Sequence, residues 1–210
     1  MSEKYYHGVR VIEEGTALPE TVTGTAGMQV VIGTAPVNLA DNPEAVVNVP
    51  VLCNNMDDAR KKLGYSEDFE SYTLCQSMYA SFELFGFAPV VFINVLDPAK
   101  HKKENQEKEY GIVNRQVKVD DVTGILRSSV VVKKEESVLQ NEKDYILSFD
   151  DDGYLIITLI SDATSEASSV KVTSTSIDAS KVTDGDIIGG YDALTGKESG
   201  LEVIRQVYPR

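Results

Sequence analysis

The sequence predicts a mixed α+β (α/β) protein. It has part of an α/β core domain, a small antiparallel all-β domain inserted into that core, and an extended N-terminal arm. Three observations lead there. Between Met28 and Leu96, continuous apolar runs alternate with amphipathic helical stretches. After a charged stretch the periodicity switches to two and stays so to about Val182. A short helical pattern then returns, as it does when an all-β unit interrupts an α/β one. The corresponding spans are 1–27 for arm and linker, 28–105 for the first part of the core, 106–184 for the insertion and 185–210 for the return to the core.

The arm opens with KYYHGVRVIEEG, Lys4 to Gly15. Tyr6, Gly8, Arg10 and Ile12 share one parity, and Tyr5, His7, Val9, Val11 and Glu13 the other. This is aromatic and β-branched strand chemistry. Thr16 to Gly27, rich in Thr, Gly, Ala and Pro, reads as a loose connector. A strand at a free terminus has to pair with something, because an unpaired edge invites association.

In the core, MQVVIGTAP is a compact apolar run ended by Gly33 and Pro36, and VPVLCN is a second. NNMDDARKKLGY follows as a helix, with Asn54 or Asn55 as cap, Asp57 and Asp58 in the first turn and Gly64 as the stop. A longer helix is expected in SYTLCQSMYASFELFG. There Leu74, Met78, Phe82 and Phe85 would form one apolar face, ended by Gly86. APVVFINVLDP is the third apolar run. Strands apolar on both faces and separated by helices predict a largely parallel, helix-covered sheet.

PAKHKKENQEKEYG, a mixture of Lys and Glu, reads as a solvated linker. VNRQVKVDD, SSVVVKKEESV, KDYILSFDDDGYLIITLI and SSVKVTSTSID then form a small antiparallel sheet or barrel without a convincing helix. DIIGG leads into SGLEVIRQVYPR, where Leu201, Ile204 and Tyr208 would face inward, Ser199 would cap and Pro209 would end the helix.

Composition narrows the chemistry. Acidic residues outnumber basic ones 33 to 20, a formal charge of −13, which disfavours nucleic acid and anionic membranes as partners. No window reaches the apolar length of a membrane span, and no signal-peptide pattern follows Met1. Cys53 and Cys75 lie among apolar residues in no metal or redox spacing, so buried free thiols and folding in a reducing compartment are expected. His7 and His101 are the two histidines, too few for most His-dependent sites.

SFDDDGYL offers Asp150 and Asp152 as calcium-loop positions, but Ser148 and Leu159 stand where two further ligands belong. Its flanks are strands, so a hairpin turn is the better reading. VVIGTAP lacks the further glycines and the Lys-Ser/Thr pair of a phosphate loop, and IGGYDALTGKESG reads as a loop. His7 is read as a structural polar contact. No catalytic, cofactor-binding or metal-binding residue is assigned, no cofactor is expected, and the chain is not read as an enzyme.

Taken in order, these segments resemble the contractile tail sheath proteins of bacteriophages and of phage-derived contractile particles. YYHGVRVIEEG looks like the family's opening, and QVVIGTAP like its first core strand with the Gly-Thr-Ala-Pro turn. VPVLCNNMDDARKKLGY and SMYASFELFGFAPVVFINVLD look like the strand–helix and helix–strand units that follow. KDYILSFDDDGYLIITL resembles the hairpin of the family's inserted domain, and IDASKVTDGDIIGG the sequence by which the insertion rejoins the core. Sheath proteins are usually much longer, so an N-terminal fragment or truncated relative is expected.

The resemblance implies a structural subunit that stacks around a tail tube and contracts to drive it through a bacterial envelope. Its partners would be neighbouring sheath subunits, the tail tube protein, and baseplate and tail terminator proteins, with no nucleic acid and no membrane insertion. It would assemble in the bacterial host cytoplasm and reside in the virion tail or a phage-tail-like particle. In the family, terminal arms add strands to a neighbour's sheet, a β-augmentation that builds open helical assemblies. Carried onto this chain, the inter-subunit strand is Tyr5, Tyr6, His7, Gly8, Val9, Arg10, Val11 and Ile12, with a Thr/Gly linker able to bend. The alternative is a non-enzymatic baseplate or surface-binding module whose β domain carries a ligand site, marked by a concave aromatic cluster at Tyr145, Phe149 and Tyr154.

Overall fold

The computed structural model describes residues 27–161 and 168–207. Five elements make the first unit: β1 (Gln29–Gly33), β2 (Pro50–Cys53), α1 (Met56–Leu63), α2 (Thr73–Met78) and β3 (Val90–Asn94). β3 is the central strand, parallel to β1 and antiparallel to β2. The sheet is therefore mixed rather than largely parallel. The link from β1 to β2 contains a short 3-10 turn (Val37–Leu39) and no crossover helix. β2 accordingly starts at the end of the sheet where β1 finishes, with Pro50 opposite Ile93 and Gly33 opposite Asn94. The return to β3 passes through both helices and does give a parallel pair.

All five residues of β3 are buried. Val90 and Phe92 pack with Cys53, Ala59, Leu63, Leu74, Cys75 and Met78 on the helix side. Val91 and Ile93 are buried on the opposite side. α1 begins as its sequence requires. The Asn55 side chain accepts a hydrogen bond from the Asp58 backbone N–H at 2.8 Å, and Asp57 and Asp58 occupy the first turn. Gly64 ends it with φ +76°, at a point where a Cβ would lie 2.2 Å from the Pro36 carbonyl oxygen.

The second helix corrects the expected apolar face. α2 passes into a π-helical segment, Tyr79–Leu84, in which the Phe85 N–H bonds to the Ala80 carbonyl five residues back. Phe82 still packs on the core with Leu74 and Met78, its ring centroid 6.0 Å from that of Phe92, but the wider winding turns Phe85 off that line. Ser81 goes inside, and Phe85 is left 79% exposed.

The inserted strands are β4 (Lys102–Gly111), β5 (Gln116–Thr123), β6 (Val131–Lys134), β7 (Ser137–Val138), β8 (Tyr145–Phe149), β9 (Tyr154–Leu159) and β10 (Ser169–Ile177). They form two open sheets, in the orders β4-β10-β6-β7 and β5-β9-β8, rather than a closed barrel. A second core of Val117, Val119, Ile125, Val132, Tyr145, Leu155, Ile157, Leu159, Val170 and Val172 lies within this unit.

The stretch read as a solvated linker is the strand β4, paired antiparallel with β10. Its Lys and Glu side chains do stay in water, but at a sheet edge that is compatible with full backbone pairing on the inner side. The expected boundary at 105/106 falls inside this strand.

The C-terminal part holds α3 (Asp184–Ile188), β11 (Gly190–Asp192), β12 (Lys197–Ser199) and α4 (Ile204–Val207). β11 and β12 form a hairpin where a loop was expected. A 3-10 turn, Gly200–Val203, precedes α4, and its tighter winding brings Val203 rather than Leu201 into the interior. Ser199 makes no side-chain cap. Tyr208 and Pro209 lie outside the described residues. Among those described, no helix is long and apolar enough to cross a membrane.

The π-helical segment gives a direct test. Met78→Ala should destabilise the chain by about 2–5 kcal/mol, whereas Phe85→Ser should stay within about 0.5 kcal/mol, read by urea denaturation. Equal losses at the two positions would mean that the helix keeps α winding through Phe85.

Candidate assembly surface

The residues expected to form an inter-subunit strand, Tyr5, Tyr6, His7, Gly8, Val9, Arg10, Val11 and Ile12, lie outside the described residues. Gly27 and Met28 run directly into β1, an edge strand of the core sheet.

The open edges differ in how they are protected. β2 begins with Pro50, which has no N–H to offer, and its Leu52 carbonyl accepts a hydrogen bond from the Lys62 ammonium at 2.7 Å. Six of the ten residues of β4 are Lys or Glu. β5 carries Lys118, Asp120 and Asp121, and its register breaks between Val119 and Thr123. β7 is two residues long. The Tyr145 carbonyl at the start of β8 accepts from the Glu142 N–H at 2.8 Å, and Asn141 bridges to the same residue. β1, QVVIG, has neither a charge nor a proline.

A second arrangement ties the insertion and the C-terminal part to the core. Asp186 is the third residue of α3, and its carboxylate accepts from the Thr183 N–H at 2.9 Å and the Thr183 hydroxyl at 2.7 Å. The same carboxylate pairs with Lys100 at 2.5 Å, just before β4. His101, also there and 3% exposed, accepts at Nδ1 from the Asp97 N–H at 3.0 Å. That acceptor role places the ring proton on Nε2, which faces Asp186 Oδ2 at 3.5 Å without forming a hydrogen bond.

The Asp178 N–H, beyond β10, donates to the His101 carbonyl, and Lys181 Nζ donates to the Lys102 carbonyl. Asn48, held at φ +51°, accepts at its side chain from the Gly200 N–H at 2.9 Å while its own N–H donates to Asn94. Gly189 and Gly200 allow these backbones to touch, since a Cβ at Gly189 would lie 1.9 Å from the Ser199 carbonyl oxygen. The Thr183-x-x-Asp186 spacing was a readable capping signal for this cluster. Nothing in the sequence marked Asn48.

Lys100, with help from the two Thr183 donors, holds the Asp186 carboxyl well below the usual carboxylate range. Burial pushes the thiols of Cys53 and Cys75 up to about 12, so both remain protonated and unreactive at neutral pH.

Asp150 is used by the hairpin turn that the sequence predicts there. One oxygen accepts from the Asp152 and Tyr154 N–H groups, the other pairs with Lys118 at 2.6 Å, and Gly153 supplies φ +84°. Tyr145, Phe149 and Tyr154 do not converge. Tyr145 is buried in the second core, Phe149 lies under Arg127, and Tyr154 lies under Lys118 on the opposite parity. An open cleft of about 700 Å³ separates the 150–152 turn from Arg60 and Tyr65–Asp68 of the core.

Over 218 aligned residues, 99% of this chain, the sequence is 28% identical to the tail sheath protein of Burkholderia phage BcepMu. The chain spans 41% of that protein's length. No family model matches the chain, and no solved structure does. The near-complete alignment supports the tail sheath family.

The Asp186 cluster sets a pH dependence. A carboxyl whose folded pKa is depressed adds stability above its unfolded value, near 3.9, and that stability is lost as pH falls through the folded pKa. Asp186→Asn should lower stability at pH 7 by about 1–2 kcal/mol. It should also flatten the loss on going from pH 5 to pH 3, as measured by urea denaturation at each pH. An unchanged pH slope in the variant would show that Asp186 contributes nothing to it.

Proposed function

We propose that this chain, a homologue of a phage tail sheath protein, acts as a structural sheath subunit. In this reading it polymerises around a tail tube and takes part in the contraction that drives the tube through a bacterial envelope. The observation that carries the reading is similarity to a tail sheath protein along 99% of the chain. The work of such a subunit lies in its edges and linkers. The arm at residues 5–12, with its Thr/Gly connector, donates a strand to a neighbouring subunit, and main-chain hydrogen bonds hold the two together while the connector bends. A head-to-tail contact of this kind propagates into a helical tube.

The partners in this reading are neighbouring sheath subunits, the tail tube, and baseplate and terminator proteins. Its place is the virion tail after assembly in the host cytoplasm. The ligand-binding alternative loses its support, because Tyr145 and Phe149 pack with the second core while Tyr154 lies on the opposite face under Lys118.

Negative-stain electron microscopy of the chain, alone and mixed with a preformed tail tube, tests the proposal. Stacked rings, or a coat on the tube that is lost when residues 1–15 are deleted, are the expected result. A bare tube beside free monomers over a wide concentration range would remove it.

A further inference from the structure

We propose that the inserted sheets are hinged on the core and close the cleft beside the 150–152 turn, with Asp151 and Arg60 as the latch. The inference concerns one chain alone and stands apart from the strand-exchange reading.

The hinge is built into the β4–β10 ribbon. Its base is locked, with the Asp178 N–H donating to the His101 carbonyl and the Ile177 N–H to the Gly124 carbonyl. Its far end is set in the second core through Val170 and Val172. Between these ends the pairing of β4 and β10 shifts register, from Val172 to Ser174. The groups buried there are the Ser174 and Ser176 hydroxyls, which accept from the Asn105 side chain. An irregular register bends and twists a strand locally, and a zone short of apolar contacts yields before a packed core does.

Beyond the ribbon there is room to move. The cleft of about 700 Å³ separates the 150–152 turn from Arg60 and Tyr65–Asp68, and a second of about 490 Å³ lies between residues 38–44 of the core and 126–129. The turn touches the core at Leu39, where a Cβ on Gly153 would lie 3.6 Å from Leu39 Cδ1. That contact is apolar and has no preferred direction. The parts that would meet are stiff. Asp150 fixes the turn from within, Arg127 lies over the Phe149 ring at 4.9 Å, and Arg60 of α1 lies over the Tyr65 ring at 4.7 Å.

Both walls of the larger cleft carry both signs of charge. Asp151, Asp152 and Arg127 stand on the insertion side, and Arg60, Glu67 and Asp68 on the core side. Among the described residues no ion pair engages Asp151, Glu67, Arg60 or Arg127. Closure brings the carboxylates of one wall towards the guanidinium groups of the other and removes water from between them, which strengthens their attraction. Exposed ion pairs are individually weak and are screened by salt. The open and closed positions therefore exchange, and ionic strength sets their ratio.

Pulsed electron paramagnetic resonance on the full chain tests the hinge and the latch. Nitroxides are attached at Glu67→Cys and Asp152→Cys, one exposed position on each wall, with Arg60 and Asp151 left in place. Cys53 and Cys75 are buried, their thiols pushed up to about 12, and take no label. The expected result is two distance populations. The shorter should fall about threefold or more between about 20 mM and about 1 M salt. It should fall likewise on adding Arg60→Ala and persist with Arg60→Lys. A single distance under all conditions would overturn the hinge. Two populations whose ratio Arg60→Ala leaves unchanged would overturn the latch.

Discussion

The double-sided burial of β3 is the constraint on which the rest of the structure depends. A strand of Val-Val-Phe-Ile-Asn with every residue buried cannot lie at an edge or face water on one side. It needs a strand on each flank and an apolar layer on each face. β1 and β2 supply the flanks, and α1 and α2 supply one layer through Ala59, Leu63, Leu74 and Met78. Even its single polar residue is committed, because Asn94 accepts from the Ala35 and Leu96 N–H groups and donates to the Leu96 carbonyl. The turns that leave both β1 and β3 are thereby fixed from the inside.

From that base the inserted sheets are held by two antiparallel strands rather than by a shared core. β10 crosses from one core to the other, with Val170 and Val172 in the second core and Ile177 in the first. Between them Ser174 and Ser176 are buried but polar, and both accept from the Asn105 side chain on β4. Hydrogen bonds carry the chain through a zone where apolar packing lapses. Asp186, Lys100, Asp178 and Lys181 lock the base of the same ribbon. The direction of the insertion is thus set by directional contacts at its root.

Legibility in the sequence followed how local each determinant was. The α1 cap, the Gly64 stop, the Asp150–Gly153 turn and the three apolar runs depend on neighbours within a few residues, and all were readable. The orientation of β2 depends on what the 34–49 connection lacks, and the exposure of Phe85 on a π-type hydrogen bond that no spacing rule encodes. β4 was obscured because high charge marks solvated side chains, which a linker and an edge strand share. At the candidate surface, the alternation of Tyr5–Ile12 gave a strand expectation that lies outside the described residues. Which strand is an edge is a property of the assembled sheets, since only topology separates the edge strand β1 from the central β3, two apolar runs of similar composition.

That difference bears on how such a chain could polymerise without aggregating. An exposed sheet edge associates unless something blunts it. The described edges divide along that line. The inserted sheets, with more edges to hide, protect theirs by charge, brevity, irregular register or a covering turn, and these devices work wherever the edge meets water. In the core sheet one edge is blocked by Pro50 and Lys62 and the other is left plain. Among the described edges of more than two residues, β1 is thus the one without a charge, proline, register break or covering turn, and it is an edge by its place in the sheet, not by its composition.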